Sequence, residues 1–508
     1  MKYVLSREQM QAVDKRTIEE FGLPSRLLME NAGKACADWF ENRYEDIMDQ
    51  QIVFFCGTGN NGGDGLVMAR YLRETLAYIT IVLVGDDKRS EDNRINLELC
   101  DKLEMDVLTV ETPEDFEDVR NHISGAAFCV DAIFGTGFRG ELDELHSKIV
   151  KFMNYSGSMV ISIDIPSGLD ANHGVPKDAV IAEHTLVIQC PVYGNLIGLS
   201  GCYCGTLHYL PIGIPDLYID QADPIIWLEV EDLELPVRFP QSNKGDYGRV
   251  AIIAGSPGLS GAATLASKAA IRAGAGYVVL FSHPELKGLY ETVCPELLNR
   301  TFDPENDKLA LSELDRFLKD ADSVLVGPGL GLSPRTTLIV EHVLKNTELP
   351  IIFDGDALTT LATKPALKNL FAERDVLLTP HWGEFTRLVN VGLDKLFLDP
   401  IGILRQYCKK NHVTVILKSH YSLIANEDDI YLTHEGNDSL SKAGSGDVLA
   451  GIVASFIAQK MEPFDAAVSA SILMGKTAVD LCELRDRRTV LPSDIIDNLL
   501  VFDPKAGK

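Results

Sequence analysis

The sequence predicts an α/β protein of two domains, each a three-layer α/β/α sandwich on a mostly parallel sheet. Short apolar, β-rich runs alternate with helical stretches, which is the texture of βαβ units. That alternation lapses near residue 212 and restarts near residue 250. A chain of 508 residues also exceeds what one ordinary core supports.

Residues 6–42 read as helical. Ser6 and Gln9 have capping-box spacing, and Met10, Val13 and Ile18 recur at helical intervals. The first strand covers 52–55, followed by a glycine-rich loop and a helix over 66–73. Further strands are expected at 78–84, 126–130, 159–163 and 185–188. Pro215, Pro224, Pro236 and Pro240, with an acidic cluster at Glu229, Glu231, Asp232 and Glu234, mark the connection. The expected division is a domain over 1–215, a linker over 216–235 and a domain over 236–508. In the second domain strands are expected at 250–254, 277–281, 323–326, 351–353, 376–378 and 413–417, with a helix over 262–273.

A hydrophobic content of 46% and a charged content of 24% are ordinary for a soluble globular protein. No apolar run is long enough to cross a bilayer, and the first eight residues turn polar too early for a signal peptide, so a cytoplasmic location is expected. The ten cysteines form no framework. Cys202 and Cys204 read as two half-buried thiols in a strand. A net charge of −27 argues against nucleic acid or an anionic membrane as partner. It leaves room for a phosphorylated ligand held by local backbone donors.

The segment 442–451 carries the strongest chemical signal. Gly444-Ser445-Gly446 leads straight into an apolar helical run. Free N–H groups at such a helix start hold an anion, and Asp447 lies beside it as a base. That pairing suits moving a phosphoryl group onto a hydroxyl. Five more loops follow strands in this half. They contain Gly255 to Ala263, Gly327-Pro328-Gly329, Asp354-Gly355-Asp356, His381-Trp382-Gly383-Glu384 and Lys418-Ser419-His420-Tyr421-Ser422. In a parallel sheet the ligand lies beyond the strand C-termini, where all these loops fall.

Three loops of the first half are placed in the same way. Residues 57–65 hold Asn60, Asn61, Gly62, Gly63 and Asp64 at a strand–helix junction, without Rossmann spacing. The others begin at strand ends with Asp131 and Asp164. Asn61, Asp131 and Ser167 offer only oxygen ligands, which suits a hard cation.

With the motif 24–33, these three loops resemble the N-terminal domain of bifunctional NAD(P)H-hydrate repair enzymes, in a Rossmann-like fold. That resemblance implies an epimerase of the R and S hydrates at C6 of a damaged nicotinamide ring. Asn60, Asn61, Gly62, Gly63, Asp64, Gly135, Thr136, Gly137, Phe138, Arg139, Gly140 and Glu141 would contact the hydrate. Asn61, Asp131 and Ser167 would bind potassium. Asp164 would contact substrate and is our choice for the proton-handling carboxylate.

The second half resembles the ribokinase-like superfamily, in its NAD(P)H-hydrate dehydratase branch. Lys418, Ser419, His420, Tyr421, Ser422 and Gly446 would contact ADP or ATP, with Mg2+ arriving on the nucleotide. Ala262, Gly329, His381 and Asp447 would contact the hydrate, with Asp447 as base. Two departures stand out: Trp382 where the family has Pro after the His, and Ser419-His420 where it has Gly-Ala after the Lys. The ligands expected are NADHX, NADPHX and ADP or ATP, in a homo-oligomer, since family members assemble. Two rival readings stay open. One is a small-molecule kinase with a non-catalytic N-terminal domain, the other a non-enzymatic binding module.

Overall fold

The computed structural model describes residues 2–44, 47–75, 77–173, 177–198, 200–433 and 436–499. The outer ends of the two expected domains, residue 1 and residues 500–508, lie outside them. The chain divides into two compact units between Ile225 and Ile226.

In the first unit a short strand β1 (Lys2–Val4) leads into helix α1 (Arg7–Glu19). Ser6 Oγ accepts from the Gln9 N–H at 3.1 Å, and Gln9 Oε1 accepts from the Ser6 N–H at 2.7 Å, which is the expected capping box. The continuous helix expected over 6–42 is instead two, α1 and α2 (Ser25–Arg43). Gly22 at φ 83° ends the first and Pro24 precedes the second.

Strands β2 (Gln51–Cys56), β3 (Tyr78–Val84), β4 (Asp106–Val110), β5 (Phe128–Ala132), β6 (Met159–Ile163), β7 (His184–Ile188) and β8 (Thr206–Leu210) form a parallel sheet. Their order is β4-β3-β2-β5-β6-β7-β8. The sequence reading missed β4 and β8, the two edge strands, whose Asp106, Thr109, Thr206 and His208 break the apolar run. Alternation along β2 builds the layers. Ile52, Phe54 and Cys56 pack on Phe40 of α2 and on Leu66 and Met68 of helix α3 (Asn60–Leu72). Val53 and Phe55 pack on the other face, with Phe116, Ile149 and Met153.

Helix α3 begins at Asn60, so most of the expected glycine-rich loop is its first turn. A Cβ on Gly62 would lie 2.0 Å from the Gly57 carbonyl oxygen, and one on Gly63 2.5 Å from Met29 Cε. These glycines permit close packing. The expected strand at Cys202 and Cys204 is a helical turn (Gly201–Cys204) with Cys202 exposed and Cys204 buried. Gly205 at φ 56° ends that turn, and β8 starts only at Thr206.

The second unit holds β9 (Ile225–Leu228), β10 (Arg249–Ile253), β11 (Tyr277–Ser282), β12 (Leu298–Thr301), β13 (Ser323–Val326), β14 (Ile351–Phe353), β15 (Val376–Leu378), β16 (Val413–Leu417), β17 (Ser422–Ala425) and β18 (Ile430–Thr433). Their order is β9-β18-β17-β16-β15-β14-β13-β10-β11-β12. Pairing is parallel from β12 through β16, and β17 runs antiparallel to both its neighbours. Residues 216–235, expected as a bare connection, carry a short helix (Asp216–Asp220) and β9, which pairs with β18. Val250, Ile252 and Ala254 pack on Ala266 and Ala270 of the helix Ser260–Arg272 and on Val448, Ile452 and Phe456 of the helix Ser445–Ala458. Ala251 and Ile253, of opposite parity, are equally buried, so both sheet faces are covered. Among the described residues no helix is long and apolar enough to cross a membrane.

Candidate active sites

In the first unit a cavity of about 570 Å3 opens beyond the C-terminal ends of β2, β5, β6 and β7. Asp164, the residue after β6, stands there in the left-handed region at φ 69°. Its N–H donates to the Leu186 carbonyl at 2.7 Å, and its own carbonyl accepts from Asn195 Nδ2 at 3.2 Å. A non-glycine residue held in this strained conformation is a mark of a functional position. Its carboxylate accepts from the Thr136 N–H at 3.1 Å. Burial pushes its pKa up to about 6, against the pull of that N–H.

Asn60, Asn61, Asp64, Gly135, Thr136, Gly137, Phe138 and Asp164 all line this cavity. Gly62 and Gly63 are turned into the packing behind α3. Arg139, Gly140 and Glu141 lie outside the cavity wall. Arg139 pairs with Glu8 at 3.4 Å and Glu141 with Lys177 at 3.0 Å.

Asp131 and Ser167 are fully buried together. The Ser167 hydroxyl donates to Asp131 Oδ1 at 2.5 Å and its N–H to Oδ2 at 2.8 Å, while Ser162 Oγ donates to Oδ2 at 2.8 Å. Ser167 Oγ also accepts from the Phe134 N–H at 2.9 Å, next to Gly135, which packs on Asn61. Both amide atoms of Asn61 are buried with no hydrogen-bond partner among the described residues. An orphaned amide oxygen near a buried carboxylate and hydroxyl is a donor set that fits a hard cation.

The sequence reading missed three supports of this site. Arg7 is buried and clamps the loop: Nε donates to the Thr136 carbonyl at 2.8 Å and Nη2 to the Phe138 carbonyl at 3.0 Å, with Asp170 at 2.7 Å from the same nitrogen. Asn93 Nδ2 donates to the carbonyls of Gly57 and Gly59 at 3.0 and 2.7 Å, which fixes the start of α3. Asp14 reaches the cavity from α1, on the same helix face as Met10 and Ile18. A carboxylate on an apolar helix face was the available signal.

In the second unit a cavity of about 650 Å3 is lined by His381, Lys418, Ser419, His420, Ser422, Gly446 and Asp447. Ala262 and Gly329 stand outside this lining but together, since a Cβ on Gly329 would lie 3.1 Å from that of Ala262. Tyr421 is turned away and packs on His420 and Trp227, with ring centroids at 4.4 and 6.2 Å. Trp382 also leaves the cavity. It opens the helix Trp382–Val389 and lies against Phe397 at 4.9 Å. His381 caps that helix, its Nδ1 accepting from the N–H groups of Gly383 and Glu384 at 3.0 and 3.3 Å.

The helix carrying Asp447 starts at Ser445, three residues ahead of the apolar run, with Gly444 at φ 103° as its cap. At that start Lys418 Nζ lies 3.0 Å from Asp354 Oδ1, which also accepts from Thr379 Oγ1 at 2.7 Å. Asp354, 3% exposed, was seen in sequence only as part of a loop and given no role. Burial works against the charge of Lys418, but Asp354, Glu384 and Asp447 outweigh it and raise its pKa. Burial and then Asp354 push Asp447 up to about 7, against the attraction of Lys418. A carboxylate whose pKa is near neutrality, beside a fixed ammonium and a helix N-terminus, suits proton removal coupled to anion transfer.

A family model described as NAD(P)H-hydrate dehydratase matches residues 250–500, and one described as YjeF-related protein N-terminus matches residues 25–194. The bifunctional NAD(P)H-hydrate repair enzyme Nnr of Moorella thermoacetica is 33% identical over 98% of this chain and 96% of its own length. The chain belongs to the family of bifunctional NAD(P)H-hydrate repair enzymes. The Escherichia coli member of this repair-enzyme family is 30% identical over 96% of this chain and 91% of its own. Among solved structures, an ADP/ATP-dependent NAD(P)H-hydrate dehydratase of Bacillus subtilis, co-crystallised with ATP/Mg2+, is 28% identical. It covers 53% of this chain and 92% of its own, with a TM-score of 0.47.

Proposed function

We propose that the two cavities divide one repair of hydrated NADH and NADPH between them. The first unit equilibrates the R and S hydrates at C6, and the second dehydrates the S form with a nucleotide. The observation that carries this reading is the pair of separate cavity carboxylates raised toward neutrality, Asp164 at a strand end in one unit and Asp447 at a helix N-terminus beside Lys418 in the other.

In the first cavity the ring nitrogen of the hydrate pushes out the C6 oxygen as water, leaving a planar cation. Asp164 handles the proton at that oxygen and, when ionised, offsets the ring charge. Asn60, Asp64 and the loop 135–138 position the dinucleotide. Asn61, Asp131 and Ser167 would hold potassium, which when bound supplies fixed positive charge for ligand oxygens.

In the second cavity Asp447 takes the proton of the C6 hydroxyl as that oxygen attacks the terminal phosphoryl group of ADP or ATP. Lys418 and the N–H groups around Gly446 oppose charge on the transferred group. Phosphate then leaves from C6, driven by the ring nitrogen, and the resulting iminium loses a proton from C5, so that the dihydronicotinamide is restored with AMP or ADP as the other product. Ser419, His420 and Ser422 stand where the nucleotide would lie, and His381, Ala262 and Gly329 where the hydrate would. Mg2+ would enter with the nucleotide. ADP is our preferred donor, because the fused arrangement resembles bacterial members.

The same reading places the domains at 1–215 and 236–508, in a cytoplasmic homo-oligomer that binds neither nucleic acid nor membrane, in keeping with the charge of −27. Incubation of a mixed R,S hydrate with ADP and with ATP in turn tests it. Complete conversion to NADH with release of free phosphate is expected. A stable phosphorylated product would establish a kinase instead.

A further inference from the structure

Inversion at C6 poses a requirement that one carboxylate does not meet. If water leaves and returns through a planar cation, the oxygen departs from one ring face and must come back to the other. A carboxylate fixed on one face can protonate and deprotonate only the oxygen on that face. It would exchange the oxygen with solvent and leave the configuration unchanged.

The cavity holds four carboxylates, Asp14, Asp64, Asp92 and Asp164. Asp92 is occupied, accepting from Ser25 Oγ at 2.6 Å with Arg26 at 3.5 Å. Asp64, likewise without a hydrogen bond or ion pair among the described residues and pushed up by burial, is the fifth residue of α3, on the side of the cavity built from the segments after the strands that also present Asp164. Asp14 comes from a different wall, helix α1, between Met10 and Ile18. No hydrogen bond or ion pair engages it among the described residues. Burial, and then Asp164, push its pKa up to about 7. Asp164 itself accepts a backbone N–H and reaches only about 6. Two carboxylates on separate walls, one without a donor and one with, is the pattern of an acid facing a base.

We propose that Asp14 is the second proton-transfer group of the epimerase cavity, acting at C6 on the ring face opposite to Asp164. The idea rests on the epimerase reading above. In one direction the Asp14 carboxylic acid gives its proton to the C6 hydroxyl, the C–O bond breaks, and the ring nitrogen lone pair forms the iminium. Water then adds from the far side, its oxygen bonding to C6, the iminium electrons returning to nitrogen and the released proton passing to Asp164. The reverse reaction uses the two groups in exchanged roles.

The test uses the full chain without nucleotide, with separated R and S hydrates of NADH in 18O-labelled water. The wild type should invert both epimers and label both. Asp14→Asn should lose at least 100-fold in inversion yet keep label exchange into one epimer only. Asp164→Asn should keep exchange into the other epimer only. A merely structural role for Asp14 would lower inversion and both exchanges in parallel, and that outcome overturns the proposal. So does inversion by Asp14→Asn within threefold of wild type, or the one-epimer signature appearing in Asp64→Asn instead. Asp14→Ser, smaller and uncharged, should repeat the signature, and circular dichroism should show both variants folded. A wild type that neither inverts nor exchanges would instead sink the epimerase reading itself.

Discussion

Replacing Asp447 by asparagine should abolish one activity and stabilise the protein. The group is pushed from an ordinary 3.8 up to about 7 by burial and by Asp354. The folded state therefore holds this proton more tightly than the unfolded chain does. The resulting penalty is absent below about pH 4, grows through the window up to about pH 7, and is fully present above it. At 1.36 kcal/mol per pH unit the rise corresponds to about 4 kcal/mol, which partial exposure to cavity water reduces to about 2–3 kcal/mol. Asp447→Asn removes the ionisation and keeps the shape. At pH 8 the melting temperature of the second unit should rise by about 4–8 °C, and at pH 4 it should barely change. Dehydration should fall by about 10²–10⁴, the usual contribution of a general base, while epimerisation is untouched. Thermal melts across pH and the two assays on one preparation check this. A gain in stability that does not grow with pH would refute the electrostatic argument. Loss of both activities in a folded variant would refute the separation of the sites.

Other perturbations probe the remaining supports. Asp354→Asn leaves Lys418 beside an uncharged partner and should destabilise the second unit by about 3 kcal/mol, the low end for a broken buried pair. It should also move the acidic limb of the dehydration pH profile below 7, since Asp354 is what raises Asp447 after burial; an unmoved limb would count against that coupling. Arg7→Ala frees the carbonyls of Thr136 and Phe138 and should raise the KM for hydrate in epimerisation by about tenfold, one lost charge-assisted contact. Unchanged hydrate affinity would mean that the clamp is irrelevant to binding. Gly62→Ala drives a Cβ to 2.0 Å from the Gly57 carbonyl oxygen, and chemical denaturation should register a loss of at least about 2 kcal/mol.

How far the site could be read from sequence depended on where each signal lay. Asp131 and Asp164 follow apolar runs directly and Asp447 leads into one, so their polarity against burial was visible in the chain. Arg7 and Asn93 act across more than 30 residues of chain, and nothing local marks them, whereas Asp14 was signalled only by its place on an apolar helix face. Arg139 and Glu141 neighbour a cavity loop in sequence, yet both are exposed and held in surface ion pairs with Glu8 and Lys177. Trp382, a departure from the family pattern, packs on Phe397 once its helix forms and lies outside the cavity lining.

By itself the sequence determined the alternating architecture, the lapse between two halves, the strand ends that present loops, and the family. Those are properties of local periodicity and of short contiguous motifs. Tertiary structure alone decided that the glycine run after β2 is helix, that β17 turns back antiparallel, and that Asp354 holds Lys418. It also set the carboxylates of Asp14 and Asp447 near neutrality. Register, desolvation and through-space charge depend on which distant segments share a volume, and no window of sequence contains that information.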